Sequence, residues 1–125
     1  MKTILLVDDK IQLLALLKQI LKSRYDVVLK YNGLEAIEWI QQGNLPDLIL
    51  TDIQMPKMNG YEATNAIRES DHLQAKTIPI IALSANAFTE DVQKSLRAGM
   101  NAHLAKPIEP NMLYESIFNL TKLRE

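Results

Sequence analysis

The stretch TILLVDDKIQLLALLKQILKSR, residues 3–24, changes its period partway along. Its first part, TILLV (3–7), sets apolar residues side by side without alternation, the pattern of a strand buried on both faces. Its second part, IQLLALLKQILKSR (11–24), repeats apolar residues at helical spacing, with Leu13, Leu17, Ile20 and Leu21, helped by Leu16, on one face. The same switch recurs downstream. DVVLK (26–30) reads as a second strand, and Gly33 opens a helix to about Gln42 with Ala36, Ile37 and Ile40 inward, which GNLP breaks. DLILT (47–51) is a third strand, a helix of roughly Tyr61 to Ser70 and a polar loop follow, and IIALS (80–84) after Pro79 is the fourth strand. Thr89, with Glu90 and Asp91 behind it, predicts an N-cap and an acidic first turn, and Gly99 after Arg97 the matching stop, so a fourth helix spans about 90–98. A short strand near 102–105 precedes Lys106 and Pro107, and Pro110 starts a last helix with Leu113, Ile117 and Leu120 inward. Five buried strands alternating with five helices predict an α/β fold whose parallel sheet is covered on both faces, because right-handed crossovers put helices on either side.

Composition narrows the function classes. At 125 residues the whole chain, 1–125, is expected to be one domain that buries enough surface to fold without staples. It has no cysteine, which excludes a disulfide framework and thiolate metal sites, and with only His72 and His103 a zinc site is a poor fit. Net charge is −1, and no run of Lys and Arg tracks a phosphate backbone, so nucleic-acid binding is disfavoured. No apolar run approaches the ~20 residues of a membrane span. MKTILLVDDK reaches an acid pair too soon for a signal peptide, and the expected setting is cytoplasmic. His72 reads as a solvated loop residue, and Trp39 as a helix-surface or packing residue.

Sheets of this kind bind ligands beyond the carboxyl ends of their strands, near the topological switch point. The polar residues expected there are Asp8 and Asp9 after the first strand, Asp52 after the third, Ser84 after the fourth, and Lys106 with Pro107 after the fifth. If the first and third strands are neighbours, three carboxylates converge. They repel, so either their pKa values rise or a cation sits among them, and the hard, oxygen-seeking Mg²⁺ fits best. Singly, each residue has a plainer reading as a cap, a turn residue or a solvated lysine. Turn chemistry has no need, however, for acids, a hydroxyl and a lysine at one edge of one sheet.

LLVDD (5–9), DLILTDIQMPKMNG (47–60), IIALSA (80–85) and AKP (105–107) resemble, in the same order and over nearly the whole chain, the response-regulator receiver domains of two-component signalling. The resemblance implies a flavodoxin-like five-stranded parallel sheet of order 2-1-3-4-5 flanked by five helices. It also implies that Asp52 is the phosphoacceptor, that Asp8 and Asp9 place Mg²⁺ with Asp52, and that Gln54 lends a backbone carbonyl to the metal. Asp9 is then a direct ligand and Asp8 acts through water. Ser84 would report the phosphoryl group and Lys106 would pair with it. The implied activity is phosphorelay signalling: Mg²⁺-dependent transfer from a histidine kinase or histidine phosphotransfer protein onto Asp52, then a change of conformation that controls a partner or an attached domain. The chain is thus expected to assist its own phosphorylation and dephosphorylation without being an enzyme on other substrates. SANAFTEDVQKSLRAGMNAHLAKPIEP (84–110) is most similar to receivers of hybrid sensor histidine kinases, which admits the cytoplasmic part of a membrane-anchored kinase as the setting.

Some positions depart from that family or extend beyond it. An aromatic switch residue three before the lysine is replaced by His103, whose polarity weakens the case for an inward state. Gln54 and Asn86 occupy the two positions that tune phosphoryl lifetime in the family, and neither is charged. A second apolar stripe on the first helix, Ile11, Leu14 and Ala15, is expected to be exposed beside Asp9 and to receive the histidine phosphodonor. A haloacid-dehalogenase phosphatase would want an Asp where Gln54 stands, and a flavodoxin-type phosphate loop would want glycines in VDDKIQ (7–12).

Overall fold

All five expected strands form, and every neighbouring pair is parallel: β1 (Thr3–Val7), β2 (Asp26–Lys30), β3 (Leu48–Asp52), β4 (Ile80–Ser84) and β5 (Ala102–Ala105), in the order β2-β1-β3-β4-β5. The computed structural model describes residues 1–55, 57–70, 74–85 and 89–122, Thr89 by its backbone alone. The helices are α1 (Ile11–Leu21), α2 (Gly33–Gln41), α3 (Gly60–Arg68), α4 (Thr89–Arg97) and α5 (Pro110–Thr121), with a 3-10 turn at Ala75–Thr77 before β4. None of the helices among the described residues is long and apolar enough to cross a membrane.

The unbroken apolar runs are explained by burial on both faces, since successive strand residues point to opposite sides. Leu5, Val7, Ile49, Ile80 and Ala82 meet α2 and α3 through Ala36, Ile37, Ile40, Ala63 and Ile67, and Trp39 packs against the same cluster. On the opposite face Ile4, Leu6, Leu48, Leu50, Ile81 and Leu83 meet α1 and α5 through Leu14, Leu17, Leu21, Leu113 and Ile117.

Helix ends follow local hydrogen bonding. α1 stops at Leu21, earlier than the expected Arg24, and the N–H groups of Arg24 and Tyr25, both 3.0 Å from the Leu21 carbonyl, close the turn that leads into β2. Asn59 and Glu62 form a reciprocal capping box that starts α3 at Gly60. Thr89 is the first residue of α4, not its cap, while Gly99 at φ +103° ends that helix as expected. His72 and Asn86 lie outside the described residues.

The phase of α1 is corrected by the structure. Leu14 is 1% exposed and forms with Leu17 and Leu21 the stripe that meets α5, while Leu13 and Ile20 flank it half-buried. Leu16, expected to help the core, is 57% exposed, and Ile11 is 68% exposed. Leu14 is therefore a core residue and no part of a docking stripe. Leu14→Ala should cost about 2–5 kcal/mol in urea unfolding, whereas Ile11→Ala should stay within about 0.5 kcal/mol of the parent. Equal losses would contradict this phase.

Candidate functional site

β1 and β3 lie side by side, with Val7 opposite Thr51, so the next residues, Asp8 and Asp52, leave the sheet at neighbouring points. The chain after Asp52 then turns back sharply. Gly60 N–H donates to the Ile53 carbonyl at 2.8 Å, and a Cβ at position 60 would lie 2.5 Å from the Asp52 carbonyl oxygen, so only glycine lets α3 begin this close behind the acid. At the other side of the edge, Lys106 N–H donates to the Ser84 carbonyl at 2.8 Å, which carries the lysine from the end of β5 toward the same point.

The result is a cleft of about 630 Å³ lined by Asp52, Gln54, Ser84, Lys106 and Lys10, with Asp91 and Lys94 of α4 across it. Asp8, Asp9 and Asp52 each bring a carboxylate oxygen within 4.8 Å of the others, and Asp8 and Asp52 are buried. Asp8 Oδ1 accepts the Lys10 backbone N–H at 2.9 Å, and Asp8 Oδ2 lies 3.3 Å from Lys106 Nζ. Asp52 Oδ1 is 3.4 Å from the same ammonium. Its Oδ2 is 3.5 Å from Lys10 Nζ, without hydrogen-bond geometry, and is the one buried side-chain polar atom without a hydrogen bond among the described residues. Lys10 also approaches Asp9 Oδ1 at 3.6 Å.

Burial pushes the Asp8 carboxyl above its ordinary range, and the nearby Asp52 charge adds to that rise. The Lys10 N–H and the Lys106 ammonium oppose it without reversing it. The Asp52 carboxylate, in turn, holds Lys10 above the usual lysine value. An all-oxygen donor set with one buried oxygen lacking a hydrogen bond suits a hard divalent cation. A carboxylate opening on a cleft beside a fixed lysine also suits attack on an electrophile that carries anionic oxygens.

Sequence reasoning thus finds Asp8, Asp9, Asp52, Ser84, Lys106 and Gln54 at one edge. Ile11 and Ala15 are exposed on α1 beside this edge, and Leu14 is not. His103 differs from expectation: it sits beside Ala82 in the sheet register, with Nε2 2.7 Å from Ser84 Oγ and Nδ1 3.0 Å from Ser95 Oγ. Its polarity is no bar to an inward position, because both ring nitrogens meet hydroxyls there. Two contributors went unnoticed in the sequence. Lys10 was signalled only by following the acid pair directly, and Ser95 only by being a small polar residue on the inner side of α4.

Residues 4–118 match the response regulator receiver domain family. The chain is 38% identical to part of hybrid signal transduction histidine kinase I of Dictyostelium discoideum, over 91% of its own length but 7% of that protein's. It is 33% identical to the polar-differentiation response regulator DivK of Brucella anthropi, over 93% of both chains. The receiver domain of sensor histidine kinase PA1611 of Pseudomonas aeruginosa, crystallised with magnesium coordinated in its active-site cleft, superposes with a TM-score of 0.87 at 34% identity over 97% of this chain and 98% of that one. With its sheet order and its acidic cleft matching this family, the chain belongs to the response regulator receiver domains, the phosphoacceptor modules of two-component phosphorelays.

Proposed function

We propose that Asp52 takes the phosphoryl group, that Asp8, Asp9, Asp52 and the Gln54 backbone carbonyl hold Mg²⁺ beside it, and that Lys106 and Ser84 receive the phosphoryl oxygens. The observation that carries this is Asp52 Oδ2, buried and without a hydrogen bond, on a residue that lines the cleft. An Asp52 oxygen attacks the phosphorus of a phosphohistidine; the P–N bond breaks, its electrons stay on the imidazole, and that nitrogen takes a proton from solvent. The product is an acyl phosphate. When bound, Mg²⁺ supplies positive charge that offsets the repulsion between the carboxylates and the incoming phosphoryl group. The 3.4 Å distance from Lys106 Nζ to Asp52 Oδ1 supports this role for the lysine. An acyl phosphate is a mixed anhydride open to water, so the same residues assist its loss, and Gln54 and Asn86 tune access of that water.

The donor is a histidine kinase or a histidine phosphotransfer protein, and it docks over exposed Ile11 and Ala15 at the start of α1. The unit 1–125 acts as one receiver in the cytoplasm, alone or joined to a kinase or output domain; the hybrid kinases it matches are many times longer than this chain.

Treatment with acetyl phosphate and Mg²⁺ should add the mass of one phosphoryl group to the chain, and Asp52→Asn should abolish the gain with the fold intact; labelling of the variant at the parent level would overturn the assignment. Ile11→Glu should slow transfer from a histidine phosphoprotein about tenfold or more, the equivalent of ~1.4 kcal/mol, with acetyl phosphate labelling unchanged. Equal slowing with both donors would mean that the substitution damaged the site or the fold, and no slowing with the phosphoprotein would place the docking surface elsewhere.

Asp8 makes a prediction of opposite sign for stability and for metal binding. Its carboxyl is raised in the fold, so the stability tied to it is fully present below the unfolded-state pKa and is lost as pH rises through the folded-state value. In a chelator at neutral pH, Asp8→Asn should therefore melt higher than the parent. Mg²⁺ at a hundred times its Kd should stabilise the parent by about 2.7 kcal/mol and the variant by less. A variant that melts lower in chelator would contradict the burial cost assigned to Asp8.

A further inference from the structure

Ser95 is completely buried in α4, and its hydroxyl lies 3.1 Å from the Asp91 carbonyl and 3.0 Å from His103 Nδ1. A carbonyl only accepts, so the assignment that satisfies both contacts puts the Ser95 proton on the Asp91 carbonyl and lets Ser95 Oγ receive Nδ1–H of the ring. A neutral imidazole protonated on Nδ1 presents a lone pair on Nε2. Ser84 Oγ stands 2.7 Å from that nitrogen and is therefore the donor. All the protons point one way, from Ser84 to His103 to Ser95 to Asp91, and away from Asp52.

We propose that His103 and Ser95 are positioning residues: they hold the Ser84 hydroxyl proton away from the phosphoryl site until Asp52 is phosphorylated, and its release is felt by α4 through Ser95. The inference rests on the reading of Asp52 and Ser84 given above. Once Ser84 turns its O–H toward a phosphoryl oxygen, the Nε2 lone pair faces the Ser84 oxygen with no proton between them. A proton taken from solvent onto Nε2 restores an N–H···O bond; imidazole plus one proton becomes imidazolium, and no other bond changes. The ionisable groups of the cleft that Ser84 lines are Lys10 before α1, Asp52 at the end of β3, Tyr61 of α3, Asp91 and Lys94 of α4 and Lys106 beyond β5, with Lys94 Nζ 4.9 Å from the centre of the Tyr61 ring. β4 carries none. Phosphorylation is thus coupled to proton uptake at His103.

The test is nitrogen-15 NMR of the histidine rings in the full chain, His72→Gln assigning the two sets of signals. Without phosphodonor, and above the ring's titration, His103 should carry its proton on Nδ1, and Ser95→Ala should abolish that preference. With Mg²⁺ and beryllium fluoride, a phosphoryl mimic on carboxylates, the His103 titration should move up by about one pH unit, a tenfold gain in proton affinity. Ser95→Ala should still gain one phosphoryl group from acetyl phosphate, while the amide shifts of α4 on loading fall by half or more. A proton on Nε2, a tautomer unchanged in Ser95→Ala, or the same titration with and without beryllium fluoride would overturn the proposal. If beryllium fluoride moves no signal near Asp52, the phosphoacceptor reading fails, and the tautomer in the unloaded protein still decides whether Ser95 orients the ring.

Discussion

Three carboxylates within 4.8 Å of one another at the edge of an apolar sheet form the constraint to which the rest of the molecule answers. A pair of unit charges about 4 Å apart interacts by roughly 4 kcal/mol at an effective dielectric of 20, so a cluster of this kind persists only with compensation. Two lysines provide it, and they are not equivalent. Lys106, 19% exposed, lies between Asp8 and Asp52, whereas Lys10, 60% exposed, reaches over the mouth to Asp52 and Asp9. An exposed pair of that kind contributes little to stability. The site therefore has one counter-charge set among the acids and one held loosely at its mouth.

That arrangement is a consequence of winding. The chain places β2 on one side of β1 and then crosses to put β3 on the other, so the ends of β1 and β3 are adjacent at the point where the order reverses. The helices on the two faces fix the acids: Leu14, Leu17 and Leu21 clamp α1 against one face, and Gly60 lets α3 start directly behind Asp52 on the other. A side chain at position 60 would meet the Asp52 carbonyl itself, not the flexible end of a neighbour. Site geometry and core packing are here one problem.

Strands and strand-end acids were legible because each rests on a strong local signal, an apolar run closed by charge. The phase of α1 was not. Ile11, Leu13, Leu14, Ala15, Leu16 and Leu17 spread apolar character around most of the helix, so periodicity alone leaves two phases nearly level. What separates them is the seat formed by Leu113 and Ile117 of α5, about a hundred residues away in sequence, which takes Leu14 and leaves Leu16 in water. Lys10 and Ser95 were missed for a related reason. Their parts depend on distances to Asp52 and His103 that no spacing within the sequence encodes.

His103 shows how a polar residue holds a position where the resemblance leads one to expect an aromatic ring. The imidazole is held by hydroxyl partners, Ser84 and Ser95. Each neutral hydrogen bond contributes about 0.5–1.5 kcal/mol net, so the pair keeps the ring inward by an amount comparable to a modest switching energy. The two bonds differ in what competes for them. Ser95 sits inside α4, completely buried, with its hydroxyl on the Asp91 carbonyl. Ser84 faces the cleft, where an anionic phosphoryl oxygen offers a charge-assisted bond of about 1.5–3 kcal/mol. The Ser84 link is therefore the one that gives way, and the Ser95 link is the one through which α4 stays attached to the ring.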